Sequence, residues 1–346
     1  MNPLSSALSR REALQALGIA SAISLQSLVG PSRAALSQEA SLPKRWKPYK
    51  SPDLAMRFDI RALASHPVCS IENFREYTPR LEKLLSETCS LKIWINNGVL
   101  GKNTLGAVFD NGWIERRQRR QPNGPDPVRF HTGEEADIRS ANGCGTLLRI
   151  RDNDRGYEVI LSNDHVIYGA KAEIESQSIS NHTFDINLLE ASYFKTTLPD
   201  RFETPIGKLV DPCITNANLP SKRVQILGIG WDLFNFVGTP IPISFTDRSD
   251  PDPGSGRTCF ALVADKNTLG RADVIGGMSG SPVVLEGTRD VVGTLSRVYT
   301  VDVGDRDVVL LVFTGPDQLR ALLETFSQNK KRALNNQKRL MATDPD

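Results

Sequence analysis

Three short segments of the chain carry residues suited to nucleophilic catalysis. The segment Gly276-Gly277-Met278-Ser279-Gly280-Ser281-Pro282 sets a serine between glycines. Glycines there permit a tight turn that presents the hydroxyl, and they let backbone N–H groups face a reacting carbonyl oxygen. Taken alone, such a Gly/Ser stretch is an ordinary turn between strands. A serine hydroxyl is also a poor nucleophile at neutral pH and needs a neighbouring base. Val159-Ile160-Leu161-Ser162-Asn163-Asp164-His165 offers one, because an apolar strand runs directly into a histidine. Phe184-Asp185-Ile186-Asn187-Leu188-Leu189 offers a carboxylate at the start of a buried-looking strand, of the kind that orients an imidazole.

These groups need a scaffold, and the texture of the chain suggests which. From Gly143 to Phe313 short apolar runs alternate with Gly, Pro, Asn and Asp, predicting strands near Thr146–Ile150, Glu158–Ser162, Ala172–Ser176, Phe184–Leu189 and Arg223–Gly228. Further strands are predicted at Thr258–Val263, Pro282–Leu285, Val291–Ser296 and Val308–Phe313, a pattern that argues for an all-β barrel or sandwich. Upstream, Leu91–Ile95 reads as a strand and Ile71–Cys89 as a helix, with Phe74, Tyr77, Leu81, Leu84 and Leu85 on one face and Pro79 placed to split it. A second helix is predicted over about Asp317–Met341, with Leu319, Leu322, Leu323 and Phe326 on one side, docked on the second half of the β region.

Composition narrows the function classes. The chain has 346 residues, with 42 Lys+Arg against 40 Asp+Glu, a net +2, and 39% apolar residues. That balance fits a globular protein and lacks the basic excess of a nucleic-acid binder. Five cysteines are too sparse for a disulfide-stapled scaffold, and without Cys-x-x-Cys spacing they predict no zinc site. No phosphate loop or dinucleotide fingerprint is present, so no cofactor is expected. Four arginines, Arg116, Arg117, Arg119 and Arg120, read as a solvated loop that is also open to proteolytic processing. His66 and His131 have no motif around them and His182 lies three positions before Asp185; all three read as surface or structural.

The first 35 residues differ in texture from the rest. Arg10-Arg11 precede a mildly apolar run from Ala16 to Val29, which resembles a twin-arginine export signal. The run is interrupted by Ser21, Ser24, Gln26 and Ser27 and falls short of the ~20 apolar residues of a membrane span, so no stable membrane insertion is expected after its removal. The alternative is an amphipathic helix of a cytoplasmic protein. An exported chain would act in the periplasm or outside the cell.

Taken together, the segment from Gly143 to about Gly315 resembles a trypsin-like serine protease of the bacterial two-barrel superfamily. Gly143-Cys144-Gly145-Thr146-Leu147-Leu148 resembles the strand before the histidine, and Leu161-Ser162-Asn163-Asp164-His165-Val166 is similar to the histidine motif. Asp185-Ile186-Asn187-Leu188-Leu189 matches the aspartate strand, and Gly277-Met278-Ser279-Gly280-Ser281-Pro282 is similar to the serine motif. His, Asp and Ser also follow the chain order in which such folds supply their triad. The resemblance implies a double β-barrel over residues 138–315, preceded by a partly helical extension over 36–137 that contributes to the first barrel, and followed by a C-terminal helix and tail over 316–346. It implies a serine endopeptidase acting on a protein or peptide substrate, without metal or cofactor. His165 would be the base and acid, Asp185 its orienting carboxylate, Ser279 the nucleophile, and the N–H groups of Gly277 and Ser279 the oxyanion hole.

Where the chain departs from that pattern, alternatives stay open. His165 and Asp185 are only 20 positions apart, so Asp211 and Asp232 are reserve carboxylates. No cysteine stands just after His165 to pair with Cys144, and Met278 precludes activation by an N-terminal ion pair. A catalytically silent, partner-binding pseudoprotease is the rival reading. An α/β-hydrolase elbow would need glycine where Ser281 stands. For the substrate pocket, Asp273 points to basic side chains, whereas Ser296-Arg297, on the strand expected beside the cleft, points to acidic ones.

Overall fold

Apolar and β-branched runs alternate with turn formers through most of the chain, and the backbone follows them into two sheets flanked by a few helices. The structure, a computed structural model, describes residues 54–74, 78–97, 103–108, 142–152, 155–167, 178–196, 206–230, 233–247, 257–269, 276–304 and 306–343. All of these belong to the second of two units into which the chain divides, Tyr49–Asp346. The export-like segment, Arg116–Arg120, His131, the strand expected at Ala172–Ser176, Asp232 and Asp273 lie outside the described residues.

The smaller sheet has seven strands. They are β3 (Ser90–Asn97), β4 (Asn103–Val108), β5 (Asn142–Asp152), β6 (Arg155–Ser162), β7 (Ile179–Asn181), β8 (Ile186–Glu190) and β9 (Phe194–Thr196). Their order across the sheet is β7-β8-β6-β5-β3-β4-β9. Register sets two pairs that matter later: Lys92 on β3 stands opposite Cys144 on β5, and Gly145 on β5 opposite Ser162 at the end of β6.

The larger sheet combines two N-terminal strands with the C-terminal half of the chain. β1 (Leu54–Arg57) and β2 (Ser70–Phe74) occupy its edges, pairing with β13 (Ile241–Asp247) and β12 (Leu233–Gly238). Between them lie β11 (Val224–Ile229), β14 (Arg257–Asp265), β15 (Pro282–Leu285), β16 (Asp290–Asp302) and β17 (Asp307–Phe313), with the short β10 (Lys208–Leu209) parallel to β16. β16 curls this sheet. Its first part pairs with β15 and its second with β17, and the register slips between Leu295 and Arg297, the extra residue that bends a strand. Residues from both arms therefore face one core, with Phe234 and Phe236 of β12 meeting Phe260 of β14 and Phe313 of β17. The other face of β14, including Ala261 and Val263, packs with Leu63 of helix α1 (Ile60–Ser65).

The fold is thus mainly β with a C-terminal helix. Among the described residues the edge strands β7 and β9 do not pair with each other, nor do β1 and β2. No helix among those residues is long and apolar enough to cross a membrane.

Two expectations need correction. The helix expected over Ile71–Cys89 begins only at Pro79: α2 spans Pro79–Thr88, capped by the Thr78 hydroxyl accepting from the Leu81 N–H at 3.2 Å. Proline suits a first helical turn, where no backbone N–H is needed, and it does not suit an interior. Ile71 and Phe74 instead belong to β2, whose backbone pairs with β12. The C-terminal helix also does more than dock on the larger sheet. In α4 (Pro316–Thr343), Leu319, Leu322, Leu323 and Phe326 pack against Leu148, Val159, Leu161 and Leu188 of the smaller sheet as well as Val284 and Val291 of the larger. The Phe326 ring meets Tyr157 edge-on at 5.9 Å, and each buried side chain contributes roughly 2 kcal/mol. The helix is a clasp between the sheets, which keeps β6, β8 and β15 in one body.

Candidate active site

β6 ends at Ser162, and the short helix α3 (Asp164–Ile167) turns the chain out of the sheet, so His165 leaves from a fixed strand end. Asp185 approaches from the turn that enters β8. Its backbone is left-handed, with φ 56°, a conformation that Asp and Asn tolerate better than most residues. The Asp185 carbonyl accepts from the Asn163 side-chain amide at 2.8 Å and the Asp164 N–H at 3.3 Å. Its carboxylate then takes two bonds from one residue: the His165 N–H at 3.1 Å and the His165 ring Nδ1 at 2.7 Å. A neighbouring pair ties the same two segments, since the Asp164 carboxylate meets His182 Nδ1 and accepts from Asn187 at 3.0 Å.

The Asp185 side chain is 3% exposed and that of His165 29%, so the carboxylate is sealed while the ring keeps an open edge. Burial opposes charging of His165. The charge and hydrogen bond of Asp185 outweigh it and hold the imidazole above its ordinary pKa, with Arg297 pulling it down and Asp164 up. For Asp185 burial pushes upward, and the charge and hydrogen bond of His165, helped by Arg297, hold the carboxyl below its usual range. Because Nδ1 faces a carboxylate, its proton belongs there, and Nε2 is left as the basic nitrogen.

The serine comes from the other sheet. Gly277 and Gly280 adopt φ of 82° and 85°, and between them Ser279 is half-buried at the head of β15. Gly280 donates to Leu295 O at 2.7 Å, while the Ser281 N–H and hydroxyl both reach Met278 O, at 3.0 and 2.7 Å. The Met278 side chain is fully buried against Gly228 and Gly230, where a Cβ would lie 2.3 and 2.9 Å from it. This turn is stitched to the smaller sheet through Cys144. The Cys144 N–H donates to Ser279 O at 2.6 Å, and the Cys144 carbonyl accepts from the Ser162 hydroxyl at 2.6 Å. Gly143, one residue before, is packed so closely on Val166 that a Cβ would come within 2.4 Å of its methyls. Ser279 is therefore one backbone hydrogen bond from the strand ends that carry His165.

No protein-family model matches the chain, and no curated protein matches it either. Its functional reading rests on its own geometry.

The remaining expected residues fall as follows. Asp211 is exposed in a turn, accepting from the Cys213 N–H at 2.8 Å, while the carboxylate on His165 is that of Asp185. Ser296 is buried at the β16 bulge, and Arg297 next to it is half-buried, close enough for its charge to act on both His165 and Asp185. His66 bonds the Thr239 carbonyl at 2.8 Å, a structural role, and His182 is spent on Asp164. All five cysteines are unpaired, and burial pushes the Cys69 and Cys259 thiols up to about 12 and Cys89 to about 11, far from reactive thiolates. Among the described residues no group of three or more His, Cys, Asp or Glu side chains is placed to hold a metal ion.

Three participants escaped the sequence reading. Asn163 and Asp164 were seen only as motif spacing, yet one holds the Asp185 backbone and the other the turn before it. Lys92, whose Nζ donates to the Gly277 carbonyl at 2.8 Å, gave no signal at all, being a lone charge in a strand.

Proposed function

We propose that the chain is a serine endopeptidase with a trypsin-like arrangement, in which the two sheets correspond to two barrels and the site lies between them. One observation carries the reading: a buried carboxylate fixes His165 Nδ1 at 2.7 Å while the Ser279 turn is bonded to the strand beside it. The short His–Asp spacing, which left room for a silent scaffold, ends in that contact, so a separate scaffold reading gains nothing from it.

In this reading the Ser279 hydroxyl attacks a peptide carbonyl and gives its proton to His165 Nε2, with Asp185 stabilising the imidazolium. The oxyanion so formed is met by the N–H groups of Gly277 and Ser279, each worth about 3 kcal/mol. Collapse breaks the C–N bond, and the leaving amine takes the proton from His165. Water then attacks the acyl-serine, again with His165 as base, releasing the acid and restoring the serine. Arg297 at the edge of the dyad supports a preference for acidic substrate side chains. Five unpaired thiols suit a chain that folds before export through a twin-arginine route.

A fluorophosphonate probe tests the reading. Purified protein is expected to be labelled stoichiometrically, and Ser279→Ala not at all. A folded wild-type protein that stays unlabelled sinks the proposal.

A further inference from the structure

Lys92 is 5% exposed on β3, yet it carries an ammonium. Burying a charge is costly unless it is well bonded. Its Nζ donates to two backbone carbonyls, Ile229 O and Gly277 O, each at 2.8 Å. The opposite residue on β5, Cys144, reaches the same two oxygens through its thiol, at 3.4 and 3.5 Å. Two donors from the smaller sheet thus grip the end of β11 and the glycine that precedes Met278.

Gly277 is the residue whose N–H is assigned to the oxyanion hole, and its neighbouring peptides are both pinned. The Gly276 carbonyl lies against Gly230, so close that a Cβ there would come within 2.4 Å of it. A trans peptide sets N–H opposite C=O, so the Gly277 N–H points away from Gly230. On its other side the Gly277 carbonyl is held by Lys92. Glycine at φ 82° has the freedom to rotate these planes, and the ammonium removes it.

We propose that Lys92 is a positioning residue for the oxyanion turn, holding the Gly277 carbonyl so that the Gly277 N–H faces the reacting carbonyl oxygen. This deepens the serine-hydrolase reading and rests on it. Lys92 itself touches no substrate.

The experiment compares wild type, Ser279→Ala, Lys92→Met and Lys92→Gln by fluorophosphonate labelling rate and by kcat and KM on p-nitrophenyl acetate. Lys92→Met is expected to keep its circular dichroism spectrum and KM within about threefold while kcat and labelling rate fall at least ~30-fold, a part of what loss of one oxyanion donor costs. Lys92→Gln retains a neutral donor and is expected to fall by roughly tenfold; should Lys92→Met fail to fold, this variant decides. A folded variant with kcat within about twofold of wild type overturns the role of Lys92 while leaving the hydrolase reading intact. A loss confined to KM also overturns it, because a misplaced oxyanion donor acts on the transition state. An unlabelled wild type overturns both.

Discussion

The two halves of the candidate site are held in different ways. The His165–Asp185 half is a side-chain construction: a carboxylate with one of its two listeners on a ring and the other on a backbone N–H, fixed within 20 residues of sequence. The Ser279 half is a backbone construction, with carbonyls and N–H groups of residues 277 to 281 bonded to Leu295, Cys144 and Lys92 and with glycines where no side chain fits. The first kind of structure sets electrostatics and the second sets position. Damage to the first should therefore alter rate and pH dependence in a protein that stays folded, whereas a side chain forced onto the close-packed glycines of the second should cost fold and rate together.

Asp185→Asn breaks the first half most sharply. Asparagine tolerates the left-handed backbone at φ 56° and keeps an acceptor for the His165 N–H, so the protein should fold. Its amide, however, cannot both receive the Nδ1 proton and stabilise an imidazolium, and labelling is expected to slow by about 10⁴-fold. The acid limb of the pH–rate profile should move to lower pH, since the main influence raising the His165 pKa is gone. Stability carries the same signature. The raised His165 pKa contributes below that group's unfolded value and is lost as pH rises through the folded one. The lowered Asp185 pKa contributes above its unfolded value and is lost as pH falls through the folded one. The Tm gap between wild type and variant is thus widest in the window between and closes on both sides; a gap that keeps growing with alkalinity contradicts the assignment.

Gly280→Ala breaks the second half. A Cβ at Gly280 would sit 2.0 Å from Cys144 O and 2.6 Å from the Ser162 hydroxyl, on a backbone with φ 85°. Backbone strain and collision together should cost at least ~3 kcal/mol, read by urea denaturation, and labelling should fall with it. Gly287→Ala is the matched control. There φ is 70° and nothing lies within 4 Å, so only conformational strain of about 1 kcal/mol is expected. Equal losses at the two glycines would mean that the close approach to Cys144 is not what holds the serine turn.

The same division explains what the sequence made legible. Candidate side chains could be picked out because residue type announces them: His165, Asp185 and Ser279 stood in motifs, the first two meet in the structure, and Pro282–Leu285 occupied its expected strand to the residue. Backbone partnerships were not. The carbonyls that hold Lys92 lie 137 and 185 positions away, and a lone lysine in a strand reads as solvent-facing. β12 and β13 passed unnoticed as well. β12 is buried at every position and shows no alternation, and Pro242 argues against β13 as a strand. Pro242 is tolerated because β1 pairs only with Ser244–Asp247 and ends before reaching it. The false helix over Ile71–Phe74 arose because two apolar residues three positions apart share one face of a helix, whereas in the strand they point to opposite faces and pack against two different clusters, Ile71 on one and Phe74 on the other.

The smallest expected effect tests where the two halves meet. Arg297 stands just past the bulge of β16, on the serine-bearing sheet, yet its charge lowers the pKa of both His165 and Asp185 on the other. Arg297→Gln should therefore move the acid limb of the pH–rate profile upward, opposite in sign to Asp185→Asn and smaller, because Asp185 ranks ahead of Arg297 among the influences on the ring. Arg297 is only half-buried, so solvent and ions screen it, and the difference from wild type should shrink as salt is raised from low ionic strength towards 1 M, where the screening length is about 3 Å. The Asp185→Asn shift involves a contact of 2.7 Å sealed from solvent and should survive the same titration. Two shifts of opposite sign, one salt-sensitive and one not, are what a dyad owned by one sheet and tuned by a residue from the other requires. Shifts of the same sign would detach Arg297 from the dyad.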